Sequence, residues 1–182
     1  IASLDFTPLR SVKQVSISCK RLYMKMKIVK ASNSEIQDIA KLNSFGQRIH
    51  NESYPDIFKP IGDDSEVEAY VKKILKQESN HLFVAYKNDV AVGYVWAAII
   101  NRPDSAFKYH RRYIFIHQIV VHEKYRKQNI GKSLFKEIEN IANGEGIHHF
   151  ELDSWAFNTD AHIFFKKLGF ATYNIKMWRK PN

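Results

Sequence analysis

Apolar residues recur along the chain with two alternating periods. Lys27 to Lys30 alternates as a strand does, and Ser32 or Ser34 is placed to cap the segment that follows. Ile36, Ile39, Ala40 and Ile49 mark one side of a helix, with Gly46 as its expected break. A proline corner through Pro55 and Pro60 leads to Asp63-Asp64-Ser65, an acidic first turn for a second helix along Val67, Tyr70, Val71, Ile74 and Leu75. His81 to Tyr86 and Val90 to Ile100 read as strands joined by a hairpin at Lys87-Asn88-Asp89. After a loop over 101–110, Arg111 to His122 gives a strongly apolar strand, expected in the centre of the sheet.

Leu134, Phe135, Ile138, Ile141 and Ala142 hold one face of the clearest helix, over 131–143, and Gly144 and Gly146 stop it. Phe150 to Trp155 reads as a strand. Ala161, Phe164, Phe165 and Leu168 repeat at helical spacing up to Gly169, and 170–179 supplies a last strand or hairpin. The order β, α, α, β, β, β, α, β, α, β describes one mixed α/β domain over 26–182.

A chain of 182 residues with 45% hydrophobic and 13% aromatic residues can bury a core, which excludes wholesale disorder. No apolar run reaches the roughly 18 residues of a membrane-spanning helix. The single Cys19 excludes an internal disulfide and any multi-cysteine zinc site, which makes the cytoplasm the expected compartment. The formal net charge is +9, and Arg10, Lys13, Lys20, Arg21 and Lys25 against Asp5 place four of those charges before residue 26. Residues 1–25 carry no sustained period, and Met24 and Met26 both offer a start. We therefore expect 1–25 to be a non-core leader, either added in expression or a natural extension. A basic nucleic-acid arm is the rival reading, ranked last because so much of the charge sits in the leader.

The segment Ile119-Val-Val-His-Glu-Lys-Tyr-Arg-Lys-Gln-Asn-Ile-Gly-Lys-Ser-Leu134 passes from a buried strand through a polar turn into a helix. The first amides of a helix lack internal partners and sit at its positive end, so they can hold phosphate oxygens, with Arg126, Lys127 and Lys132 adding charge. An ordinary strand-to-helix turn with solvated cations is the plain alternative. Neither Gly-x-x-x-x-Gly-Lys nor Gly-x-Gly-x-x-Gly is present.

Two motifs here resemble those of the GNAT family of N-acetyltransferases. Arg126-Lys127-Gln128-Asn129-Ile130-Gly131 is similar to the family's Arg/Gln-x-x-Gly-x-Gly/Ala, with Asn129 replacing the first glycine. Asparagine tolerates a left-handed backbone better than most residues. Downstream, Asn158-Thr-Asp-Ala161-His-Ile-Phe-Phe165-Lys-Lys-Leu-Gly169-Phe170 resembles Asn-x-x-Ala-x-x-x-Tyr-x-x-x-Gly-Phe. The resemblance spans about 26–178. It implies a sheet whose strands at 115–122 and 149–155 splay apart to admit acetyl-CoA. It further implies that backbone groups of Ile119, Val120 and Val121 pair with the pantetheine arm. Amides from Gln128 to Ser133, through Asn129, Ile130, Gly131 and Lys132, would hold the pyrophosphate. Asn158 takes the family position that bonds the cofactor arm, and an N-cap role is compatible with it.

The implied chemistry is direct attack of a neutral amine on the thioester, with a small-molecule, peptide or protein amine as acceptor and a homodimer as a common family assembly. Phe165 stands where the family often has a tyrosine acid, and it has no proton to give. Tyr113, Tyr173 and a bound water are the substitute acids, and a binding module without catalysis is the alternative function. His117, just before the cofactor stretch, is the candidate base, with Asp153 and Trp155 on one face of the neighbouring strand. A satisfied strand histidine is the plain reading of His117. His50, Glu52 and Tyr54 are candidates for substrate contact or for an ordinary surface loop. His148, His149 and His162 lack metal-ligand spacing, so no metal is expected.

Overall fold

The computed structural model describes residues 26–179; the expectations for the leader at 1–25 lie outside them. Five strands form one sheet in the order β1-β2-β3-β4-β5: Met26–Lys30, Asn80–Lys87, Val90–Arg102, Arg111–Val121 and Phe150–Leu152. The first four pair antiparallel, and β5 is parallel to β4. The long apolar β4 is next to the edge, and β3 holds the centre.

Helices cover both faces. On one side lie α1 (Ile36–Ser53) and α2 (Asp64–Leu75). Ser32 opens this pair with a capping box, its N–H donating to Glu35 Oε2 at 2.7 Å, and Asp63 caps α2 by accepting from the Ser65 amide at 3.0 Å. The expected break at Gly46 does not occur. No proline interrupts α1, and a Cβ at Gly46 would meet Val120 at an ordinary 3.6 Å, so the glycine costs helix propensity without ending the helix. Ile36, Ile39 and Leu42 pack with Val71 and Ile74 onto Leu82, Val84 and Tyr94.

On the other face lie α3 (Ile130–Gly144) and α4 (Thr159–Lys167). Leu134 and Ile138 of α3 are fully buried against Val92, Val95, Ile114 and Ile116. Burial of such a side chain is worth roughly 1.5–3 kcal/mol. The β2–β3 hairpin turns on Asn88 and Asp89 at φ 50° and 61°, as a two-residue type I′ loop requires.

Two expectations at the end of the chain need correction. β5 stops at Leu152 instead of reaching Trp155, because Asp153 and Ser154 neither favour a strand nor find a partner on β4. The segment 170–179 forms no strand: 171–179 is exposed throughout, with Ile175 and Met177 at 75% and 88%, and no strand among the described residues pairs with it.

Candidate functional site

The short β5 creates the central feature. It pairs with β4 only from Ile114 to Ile116, whereas β4 continues to Val121 alongside β3. Alternate residues of a strand turn their N–H and C=O groups outward, so part of the backbone over 117–121 faces the opening. β4 also carries a bulge there: Trp96 pairs with Gln118 and Ala97 with Ile116, which leaves His117 as the extra residue. Close approach on the other edge depends on Gly93, where a Cβ would come within 2.7 Å of the Val120 carbonyl oxygen.

Past Val121 the chain makes a short turn and enters α3. Lys127 and Asn129 are both left-handed, at φ 60° and 61°. Asn129 is the N-cap but provides no side-chain cap. The first amide committed to the helix is that of Ser133, which donates to the Asn129 carbonyl at 2.9 Å. The amides of Ile130, Gly131 and Lys132 precede that ladder, while the Ile130 side chain is buried in the core. Gly131 has a packing reason as well, because a Cβ would sit 3.1 Å from the Phe164 ring.

The cations expected here are exposed. Arg126 folds back so that its Nε donates to the Val121 carbonyl at 3.4 Å. Gln128 accepts from Lys87 Nζ at 2.6 Å, which adds a fourth cation from the β2–β3 hairpin that no local motif signals. Asn158 caps α4, its Oδ1 accepting from the Ala161 amide at 3.3 Å, and its amide nitrogen remains as a donor. Phe165 is 8% exposed and packs on Phe164 and Phe170, with centroids 5.2 and 5.5 Å away.

His117 is exposed at the splay, its ring stacked on Trp96 at 4.1 Å and 15° and edge-on to Phe115 at 4.9 Å. Partial desolvation against these rings pushes its pKa below the ordinary histidine value. Asp153 is exposed just past the end of β5. His50 donates from Nδ1 to the Gly46 carbonyl at 2.7 Å, since a carbonyl can only accept, and this leaves Nε2 with its lone pair when the ring is neutral. Its ring and Tyr54 belong to an aromatic cluster with Phe58, Trp155, Phe157 and Trp178. The cluster joins the C-terminal end of α1 to the loop after β5. Glu52 is exposed outside it.

The two tyrosines lie at the other end of β4. Tyr113 is buried, its hydroxyl accepting from Arg102 Nε at 3.0 Å, and it stands about 13 Å along the strand from His117. Tyr173 donates to Glu151 Oε2 at 3.0 Å. Glu151 is 8% exposed and also accepts from Arg111 and, at 3.1 Å, pairs with His149 Nε2. Among the described residues, no group of three or more His, Cys, Asp or Glu is placed to hold a metal ion. No helix among them is long and apolar enough to cross a membrane.

Residues 46–170 match the model of the acetyltransferase (GNAT) family. The fold recurs in the tetramutant of the BH1408 protein of Bacillus halodurans, with a TM-score of 0.76 at 21% identity over 85% of this chain and 99% of that one. It recurs in the aminoglycoside 6'-N-acetyltransferase AAC(6')-Ih of Acinetobacter baumannii, with a TM-score of 0.67 at 20% identity over 87% and 99%. The aminoglycoside N-acetyltransferase AAC(6')-Iy, solved in complex with CoA, gives a TM-score of 0.64 at 21% identity over 86% and 95%. The chain belongs to the GNAT acetyltransferase family.

Proposed function

We propose that the protein is an acetyl-CoA-dependent N-acetyltransferase acting on a primary amine by direct attack. The observation that carries this reading is the strand pair open from His117 onward, with the uncapped left-handed turn of α3 at its mouth. The residues present fit the nucleotide: three amides ahead of the helical ladder, with Arg126, Lys127, Lys132 and Lys87 around them, suit a diphosphate. The Asn158 amide nitrogen and the outward backbone of Ile119 and Val121 suit the amide-bearing arm, whereas the Val120 backbone is turned to Tyr94 on β3.

Acetyl-CoA supplies the thioester carbon that the amine attacks. An alkylamine has a pKa near 10.4, so it arrives protonated and must lose that proton. His117, held neutral at pH 7 by its desolvated stacking, takes the proton directly or through one water. Asp153 at the mouth attracts the ammonium. The outward backbone N–H groups of Ile119 and Val121 are the donors to the oxygen that gains charge during attack. Tyr173 is committed to Glu151, so we assign protonation of the leaving thiolate to water; a thiol pKa near 8.5 makes that thiolate a tolerable leaving group.

The second reading, a CoA-binding module without catalysis, is favoured by the buried, proton-free Phe165. Calorimetric titration with acetyl-CoA tests both, and absence of binding overturns both. Thiol release over a panel of amines separates them, since turnover with any amine supports the enzyme. An inert protein that stays inert as Phe165→Tyr supports the module.

A further inference from the structure

A half-open cavity of about 220 Å³ lies between α1, α2 and strands β2 to β4, on the sheet face that also carries His117. Its walls are aliphatic at Val67, Val71 and Leu82 and aromatic at Tyr70 and Trp96. The Trp96 indole is shared, since it lines the cavity and stacks on His117 at 4.1 Å. Asn43, Tyr94 and Gln118 form the polar part of the lining.

The chemistry of that trio follows from a single proton. Tyr94 is fully buried, and its hydroxyl oxygen lies 3.0 Å from Asn43 Oδ1 and 2.7 Å from Gln118 Oε1. A hydroxyl has one hydrogen, so only one amide oxygen can accept it. The other amide must turn and donate its N–H to the hydroxyl oxygen, a rotation that heavy-atom positions do not distinguish. Whichever amide turns, one amide keeps its NH2 group and the other its C=O outside the trio's own bonds, so the trio presents both donors and an acceptor.

The charged lining group is Glu66, which is exposed at the rim and 3.7 Å from Lys59 Nζ. Glu66 already faces Lys59, so an ammonium on the polar trio would have amide and hydroxyl groups beside it and no unpaired carboxylate of the lining. A neutral group that both donates and accepts would meet both needs.

We propose that this cavity seats the distal end of the amine acceptor. That end is an apolar stem tipped by a neutral donor–acceptor group, a carboxamide or hydroxyl, while the reacting amine lies beside His117. The assignment rests on the acetyl-transfer reading and sharpens it to a substrate class.

The test compares ω-aminobutanamide and ω-aminohexanamide with the alkylamines and diaminoalkanes of equal length. Thiol release should favour a carboxamide over its alkylamine by roughly tenfold in kcat/KM, because the alkyl tip leaves the floor unpaired. Diamines should be the poorest acceptors. Asn43→Asp puts a carboxylate on the floor and should reverse the order, favouring diamines by roughly tenfold; Gln118→Glu does the same should the first variant fail to fold.

A binding readout runs independently of turnover. The side-chain amide signals of Asn43 and Gln118 in nitrogen-15-labelled protein, assigned through Asn43→Ala and Gln118→Ala, should move with the carboxamides and stay still with the alkylamines. Signals that move without any acetylation support the cavity and overturn the acetyl-transfer reading. Equal turnover of all three tips, signals that do not move, or a folded Asn43→Asp with unchanged preference each overturn the cavity assignment.

Discussion

The two ends of β4 make opposite use of the same strand. At the Arg111 end it is zipped to β5, and the nearly buried Glu151 gathers Arg111, His149 and Tyr173 around one carboxylate. At the Val121 end β5 is gone, and the chain leaves backbone groups, a bulged histidine and an uncapped helix start facing an opening. Polar groups are satisfied internally where the sheet is closed and held ready where it is open. Substitutions at the closed end should therefore cost stability, and those at the open end should cost ligand binding or rate.

The largest effect expected on stability is at the closed end. Glu151→Leu strands Arg111 without its carboxylate and frees Tyr173, and should lower unfolding free energy by about 2 to 3 kcal/mol; the partial exposure of Arg111 keeps the loss below that of a fully buried pair. Urea denaturation measures it. Affinity for acetyl-CoA in the folded fraction should barely move. At the open end, His117→Gln should leave stability and acetyl-CoA binding in place and reduce kcat by roughly a hundredfold. Since desolvation holds the folded pKa of His117 below its ordinary value, the acidic limb of the wild-type kcat/KM profile should lie below pH 6.5 and be absent from the variant. A retained limb would assign the base elsewhere, with His50 Nε2 next to be tried.

Two backbone substitutions sharpen the contrast. Gly93→Ala drives a Cβ against the Val120 carbonyl, so β3 and β4 must part beside the opening, at a cost of about 2 kcal/mol. It should also weaken acetyl-CoA, because the Ile119–Val121 backbone moves with β4. Asn129→Val forces a β-branched residue into the left-handed turn, for about 1 kcal/mol of stability and a clear loss of acetyl-CoA affinity by calorimetry. Unchanged affinity in that variant would detach the turn from the nucleotide.

Legibility in the sequence followed the range of the interactions. The face of α3 and the left-handed Asn129 were readable because each depends on neighbours within one or two turns. The end of β5 was not, because it falls where β5 parts from a β4 that continues to Val121, next to the bulge at His117, and no residue near 152 signals that. The unbroken α1 is similar: Gly46 reads locally as a breaker, and packing beside Val120 overrides it. The polar trio joins residues 51 and 24 positions apart, and the Glu151 cluster reaches Arg111 across 40. No spacing rule spans such distances. Tyr113 and Tyr173 looked equivalent as proton donors, and only their partners, Arg102 and Glu151, place them away from the opening.

The smallest expected effect tests whether the closed, internally satisfied character extends across the sheet to β2. His81 is an exception there: both ring nitrogens are buried and unpartnered, and its pKa is lowered, first by desolvation and then by the charge of Lys30, with Glu145 opposing. The folded protein thus binds a proton at His81 less readily than the unfolded chain does. The native state should lose stability as pH falls below about 6.5, the unfolded histidine value, and this site should contribute no pH dependence above it. His81→Leu removes the group that must stay neutral while keeping an apolar side chain, so its unfolding free energy should fall less between pH 7 and pH 5 than that of the wild type. The same slope in both proteins would mean that His81 reaches solvent or a partner when charged, as Arg111 finds Glu151 at the closed end of β4.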